Sequence, residues 1–545
     1  MSLRRARASL LLGLVGAALI WAPSASGREE PAEERVAQAA CALPHQWLLR
    51  TWRGWRPDRG AEIQIVPREP NFLGSGLPHV GPWDYVQRVP LLWYGEGHIA
   101  AGRRVERPVT VAGIAPTIAR LLERPFTAPD GIPMREALLP ERGQPPRLIV
   151  TLIWDAGGMN VLAAHPGAWP FLRSLAARGT WYENATVGSS PTSTAQIHAT
   201  IGTGAFPRNS GLVGHRLRIG GEITTPWARG PAFIVRPTLA DLYDRATGNR
   251  ALVGLLGTVS IHAGMLGHGA MWGGGDRDLL VLRQAIGGDT LGEETFRWNL
   301  PPGLRPFYRF AGYVNQVPGF RQLVEEVDRA DGRLDGRWRD NEIDQLLAGF
   351  DTPARPLYQE RVLEEIVRRE GFGRDDVTDL LFVNHKIIDY VSHVWTMNSP
   401  EMRDSVAAED RALRELVSFL DREVGEGRWV LVLTADHGAV PDPAISGALQ
   451  ISASAVASAI NGAFDRDGDA TRIVQLIQPT QIFVDRQELR DNGASLAEVA
   501  AYVMGLTARD VVPTVPADRA DEHVFQAAFP SEIMSYLPCL PEAGD

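Results

Sequence analysis

The sequence predicts an α/β fold with a wound, mostly parallel sheet flanked by helices, and three observations carry that prediction. Leu148–Trp154 is an almost uninterrupted apolar run, the pattern of a strand buried on both faces. The segments DDVTDLLFVNHKIIDYVSH and GRWVLVLTADHGAV repeat its grammar, each passing from an apolar strand into acids and histidines. Stretches of helical spacing lie between them. Such a sheet collects its functional groups beyond the C-terminal ends of its strands.

The elements follow in chain order. Arg4, Arg5 and Arg7 precede an apolar run over 10–22 and small residues at 24–27, which reads as an export signal spanning 1–27. An uncleaved N-terminal anchor is the rival, although the run is short for a membrane span. The expected destination is the periplasm or the extracellular space. Residues 63–66 and 89–94 read as short strands separated by a Gly/Pro-rich loop, and Ile114, Ile118 and Leu121 share one face of a helix. Helices are expected at Pro170–Arg178 and 407–422, and strands at 473–477 and Gln481–Val484. The less regular block 220–350 reads as a cap or insertion beside a core formed by 146–219 and 351–545.

With 44% hydrophobic and 22% charged residues, the 545-residue chain has ample material for a large core. Its net charge of -10 and lack of a basic stripe exclude a generic nucleic-acid binder. The two cysteines, Cys41 and Cys539, lie near opposite ends; an oxidising compartment permits a bond between them, and two separate buried thiols are the alternative.

The distribution of metal-ligating residues is more informative. Asp155 follows the first of the three strands, Asp389 and His393 follow the second, and the adjacent pair Asp436 and His437 follows the third. Carboxylate oxygen and imidazole nitrogen suit zinc, without excluding another divalent ion. Taken singly, each has a structural explanation: Asp155 before Gly157 and Gly158 makes a turn, His393 fits a helix start, and Asp436 and His437 cap a helix.

The stretch GSSPTSTAQIHATIGTGAFPRNSG, residues 188–211, changes that balance. It resembles the nucleophile motif of the alkaline phosphatase superfamily, most closely the type I phosphodiesterases and nucleotide pyrophosphatases that use threonine. Thr194 takes the nucleophile position, His198 the histidine four residues later, Thr203 and Gly204 the Thr-Gly pair, Pro207 the proline and Gly211 the final glycine; Pro191 and Thr192 also match. The resemblance implies an alkaline-phosphatase-like fold and two divalent ions, zinc by expectation. Asp155, Thr194, Asp436 and His437 would surround one ion, and Asp389, His393 and a further histidine the other, with His198 in a supporting role. In the family that further histidine comes late in the chain. Here only His523 follows His437, in a segment with little likeness. The familiar segment lies instead near the N-terminus, as LPHVGPWDYVQRVPLLWYGEGHI followed by IAPTIARLL, and offers His79. The resemblance therefore implies a circular permutation in which residues 28–145 complete the core.

Two departures bear on the substrate. His215 stands where the family has an asparagine that holds a phosphate oxygen, and either donates to phosphate or turns away. No Lys-x-Arg element of the family's monoesterases can be matched, and Lys386, the only lysine, precedes Asp389 in a different setting. The expected activity is hydrolysis of phosphate diesters through a phosphothreonine. Monoester hydrolysis, transfer of a phospho group on an envelope substrate and an inactive binding module are the alternatives. The expected partner is a small phosphate ester, a nucleotide or a lipid headgroup. His262 and His268 read as packing residues of the cap.

Overall fold

Eight strands form the central sheet of the computed structural model, which describes residues 30–140, 143–227, 229–283, 297–349, 351–537 and 539–543. They are β1 (Leu91–Tyr94), β2 (Arg103–Val105), β3 (Leu148–Trp154), β4 (Thr180–Tyr182), β5 (Val253–Gly257), β6 (Leu279–Leu282), β7 (Asp379–His385) and β8 (Trp429–Thr434). Their order across the sheet is β6-β5-β7-β3-β8-β1-β4-β2. Pairing is parallel from β6 through to β8 and between β4 and β2. Only β1 runs the other way, antiparallel to β8 and β4, so the sheet is mixed.

Strand β3 lies at the centre and is buried along its whole length. Its side chains alternate between two separate cores. Leu148, Val150, Leu152 and Trp154 pack on one face with Leu413 and Leu416 of the long helix Pro400–Leu420. Ile149 and Ile153 pack on the other with Ile114 and Ile118 of the helix Ile114–Leu121. Burial of each such side chain stabilises the fold by roughly 1.5–3 kcal/mol, which requires helices on both faces. Register then aligns the strand ends: Trp154 pairs with His385 of β7, and Ile153 with Thr434 of β8. The residues that follow all three strands therefore emerge at one rim.

The block 220–350 departs from its sequence-based reading as a cap or insertion, because β5 and β6 both lie in the central sheet. Each is only four or five residues long, and Gly254 and Gly257 interrupt the apolar pattern of β5. Gly254 is needed there: a Cβ would lie 2.9 Å from the Phe372 ring.

A second, smaller sheet is antiparallel throughout and joins both ends of the chain. Its order is Val474–Gln478, Gln481–Val484, Ile63–Pro67, Phe525–Pro530. Beside it, Cys41 at the end of the helix Ala32–Cys41 is bonded to Cys539, with Cα atoms 5.6 Å apart. The expected export signal lies outside the described residues. Among the described residues no helix is long and apolar enough to cross a membrane.

A disulfide that closes so long a loop restricts the unfolded chain. The double variant Cys41→Ser/Cys539→Ser is expected to lose about 2–4 kcal/mol of unfolding free energy in denaturant titration. A reductant should lower the wild type similarly and leave the variant unmoved.

Candidate active site

The rim above β7, β3 and β8 is built by tight turns. Asp155 follows β3 directly, and Ala156 takes a left-handed φ of 58° while its N–H donates to Asp436 Oδ1 at 3.1 Å. That conformation is uncommon for a residue with a Cβ, and such strain collects at functional sites. The turns after β3 and β8 touch through their glycines, since a Cβ on Gly158 would lie 2.4 Å from Gly438 Cα. Asp155 and the Asp436–His437 pair are pressed together by this contact.

Thr194 is the first residue of the helix Thr194–Thr203, where free backbone N–H groups and the helix dipole favour an anion. This helix is buried all round. The short helix Ser260–Gly264 crosses it closely enough that a Cβ on Gly202 would meet Gly264 O at 2.6 Å, and this approach brings His262 to the site. The loop before Thr194 is tied to the His79 loop: Thr192 Oγ1 donates to His79 O at 2.7 Å and accepts from Gly81 N at 3.2 Å.

The structure brings His79, Asp155, Thr194, Asp389, His393, Asp436 and His437 together. His79 Nε2 lies 3.2 Å and His393 Nε2 3.4 Å from the same oxygen, Asp389 Oδ1. His437 Nε2 lies 3.3 Å from Asp436 Oδ2 and 3.6 Å from Asp155 Oδ1, and its ring stacks on that of His79 at 3.6 Å. Ligand atoms of His79, Asp389 and His437 form one tight group, and those of Asp155, Asp436 and His437 another.

Hydrogen bonds fix which ring nitrogens carry protons. The Nδ1 atoms of His79, His393 and His437 face the carbonyls of Thr192, Gly76 and Gly438. A carbonyl only accepts, so each imidazole donates from Nδ1 and presents Nε2 to carboxylate oxygen; burial holds His437 neutral, so its Nε2 offers a bare lone pair there. Acceptors thus face acceptors. Asp389 Oδ1, Asp436 Oδ2 and His437 Nε2 are buried with no hydrogen-bond partner. Polar atoms in that state are costly unless a cation lies among them, and this donor set suits a divalent metal.

His198 and His262 have different roles. His198 Nδ1 donates to Thr194 O at 2.8 Å, and its Nε2 accepts from Asn384 Nδ2 at 3.1 Å, which leaves no free lone pair. His262 Nδ1 accepts from Thr258 N at 3.2 Å, so its proton sits on Nε2, 3.4 Å from Asp155 Oδ2. Asn384 Nδ2 reaches the same oxygen at 3.0 Å. Both orient the Asp155 carboxylate from behind. His268 instead packs away from these groups, on Asp241 and Trp272. His523 pairs with Thr507 in the smaller sheet region and joins no ligand group among the described residues.

Lys386, which matches no Lys-x-Arg element in the sequence, reaches the same groups from the start of the helix that carries Asp389. Its Nζ lies 2.8 Å from Asp155 Oδ1, 2.9 Å from Asp389 Oδ2 and 3.4 Å from Thr194 Oγ1. Burial opposes its charge, but Asp155 and Asp389 outweigh burial and hold the ammonium firmly protonated. Burial likewise raises Asp155 and Asp389, and Lys386 reverses the effect, so both remain ionised. Asp436 is pushed well up by burial and by Asp155. The available signals were that Lys386 is the only lysine among 55 basic residues and that it follows β7 directly. His262 and Asn384 carried no comparable signal, because their partners are remote in sequence.

Beside these groups lies a cavity of about 250 Å³ lined by His79, His393, Ser193 and His215, and by the turn between Gln478 and Gln481 of the smaller sheet. His215 Nε2 has no hydrogen-bond partner. Burial, with His79 and Lys386 adding to it, pushes its pKa down to about 4, so the ring is neutral at pH 7.

Residues 149–532 match the model of the family described as type I phosphodiesterase / nucleotide pyrophosphatase. The chain is similar to alkaline phosphatase PafA of Elizabethkingia meningoseptica, 29% identical over 167 residues that make up 30% of each chain. It is also similar to a protein of Myroides odoratus described as a calcium-transporting ATPase, 24% identical over 355 residues, 56% of this chain and 62% of that one. The chain thus spans less than two thirds of either relative's length. A crystal structure of wild-type PafA aligns over 67% of this chain and 76% of its own, with a TM-score of 0.51 and 18% identity, which shows a shared fold.

A chelator is expected to lower the melting temperature by several degrees, equivalent to ~2–3 kcal/mol for an ion held well below its free concentration. Added zinc should restore it. The same treatment should leave Asp389→Ala/Asp436→Ala nearly unmoved.

Proposed function

Because the chain belongs to the type I phosphodiesterase / nucleotide pyrophosphatase family, we propose that it hydrolyses phosphate esters on a divalent-metal centre, with Thr194 as the nucleophile. The observation that carries this reading is the ring of acceptor atoms facing one another around Asp389 and Asp436, with Thr194 Oγ1 beside it at a helix N-terminus. One ion would be held by Asp155, Asp436, His437 and Thr194, and the other by Asp389, His393 and His79. Zinc fits these oxygen and nitrogen ligands. When bound, such ions supply Lewis acidity and lower the pKa of a coordinated hydroxyl or water.

The chain's own groups do the rest. Thr194 Oγ1 gives its proton to water and attacks phosphorus in line, forming an O–P bond as the ester P–O bond breaks; the leaving oxygen takes a proton from water and departs as the alcohol, and a second water then cleaves the phosphothreonine to orthophosphate and free Thr194. Backbone N–H groups at the start of the Thr194 helix face the developing charge. The neutral His215 ring, with an unengaged Nε2 on the cavity wall, is placed to hydrogen-bond a phosphate oxygen.

Monoesters are the substrate class we favour over the diesters expected from sequence. That expectation rested on the lack of an additional cation near phosphorus, and Lys386 removes its premise. A relative named an alkaline phosphatase supports the same choice. The presence of the nucleophile and the six other candidate ligands speaks against an inactive binding module. The circular permutation is supported by His79, which lies outside the matched residues 149–532 yet 3.2 Å from Asp389. The Cys41–Cys539 bond supports export to an oxidising compartment.

The test compares an aryl phosphate monoester with the matching diester on zinc-loaded protein. Thr194→Ala is expected to lose on the order of 1,000-fold or more in kcat, and acid-quenched wild type should carry phosphate on Thr194 by mass spectrometry. Equal turnover by Thr194→Ala would reject the nucleophile assignment.

A further inference from the structure

Resting on that reading, we propose that Lys386 is the specificity-determining cation of the centre and sets its preference for dianionic monoesters. The argument begins with charge. With two divalent ions bound and Thr194 still protonated, Asp155, Asp389 and Asp436 would carry three negative charges, which the ions would over-neutralise by one. That surplus matches the single charge of a diester. Lys386 raises the surplus to two, which matches a monoester dianion.

Position gives the charge its effect. Lys386 Nζ is 3.4 Å from Thr194 Oγ1, and an attacked phosphorus must approach that oxygen to about 3.5 Å. The ammonium therefore stands within roughly 7 Å of phosphorus. Its side chain is only 10% exposed, so solvent screens it weakly. At that separation, one further negative charge on the substrate corresponds to a preference on the order of 50-fold at an effective dielectric near 20. The groups that face Nζ are Asp155, Asp389 and Thr194, with Asp436 further away. Two carboxylates from different strand ends pin the ammonium, so it does not follow the substrate out.

A structural salt bridge is the competing role, and the two are separable. In Lys386→Met, with Lys386→Gln as a second neutral variant should the first not fold, we would measure four quantities. These are bound zinc by elemental mass spectrometry, kcat/KM for an aryl phosphate monoester, kcat/KM for its diester, and orthophosphate affinity by calorimetry. The expected result is a monoester-to-diester ratio of kcat/KM lowered on the order of 50-fold, a comparable loss of orthophosphate affinity, and zinc content retained. Zinc should be retained because losing the ammonium leaves three carboxylates with one positive charge fewer. Lys386→Arg should keep most of the ratio. An unchanged ratio with full zinc would overturn the proposal, as would loss of zinc, which would make Lys386 a positioning residue. If the wild type turns over neither ester, the hydrolase reading fails; orthophosphate affinity still tests the lysine, and equal binding by wild type and variant would reject it.

Discussion

Three carboxylates and three imidazole rings are gathered at the rim of β7, β3 and β8, and the surrounding structure is arranged to hold them there. Left alone, these acceptors would repel and swing apart. They are restrained by parts that do not themselves bind a cation: backbone carbonyls of Thr192, Gly76 and Gly438 fix the imidazole tautomers, and Asn384 and His262 hold the far oxygen of Asp155. The strand register and the Gly158–Gly438 contact set the spacing. The strained Ala156 is the local conformational cost of bringing the two turns together.

Those constraints come from far apart in the chain. His79 arrives from the N-terminal segment, His262 from a region that also supplies sheet strands, and part of the cavity wall from the smaller sheet near the C-terminus. Integrity of the smaller sheet therefore bears on the shape of the cavity as well as on stability. The matched residues 149–532 cover most of the candidate ligands but not the histidine that completes the Asp389 group.

Much of this was readable from local pattern. Leu148–Trp154, Pro170–Arg178 and Gln481–Val484 have the bounds expected from apolar periodicity, because each lies in a core that demands the pattern. The grouping of the candidate ligands was readable because acids and histidines concentrate just beyond the three strand ends. The roles of His262 and Asn384 were not, since each depends on a partner more than 100 residues away. β5 was missed because Gly254 and Gly257 interrupt its apolar run, and β6 because its short apolar run follows a glycine-rich, charged stretch that reads as loop. The contacts of Lys386 were not readable either, because spacing from Asp389 does not reveal that its side chain reaches Asp155 after another strand.

The bond between Cys41 and Cys539 makes a covalent ring of nearly the whole described chain, with a sequence separation of 498 residues. Every group of the candidate site belongs to that ring. A single peptide cleavage anywhere between the two cysteines would open the ring without dividing the molecule, so both new ends would remain covalently joined and held by the same cores. In the terms of a closed polymer, this chain tolerates one cut before it becomes two pieces, whereas a linear chain tolerates none.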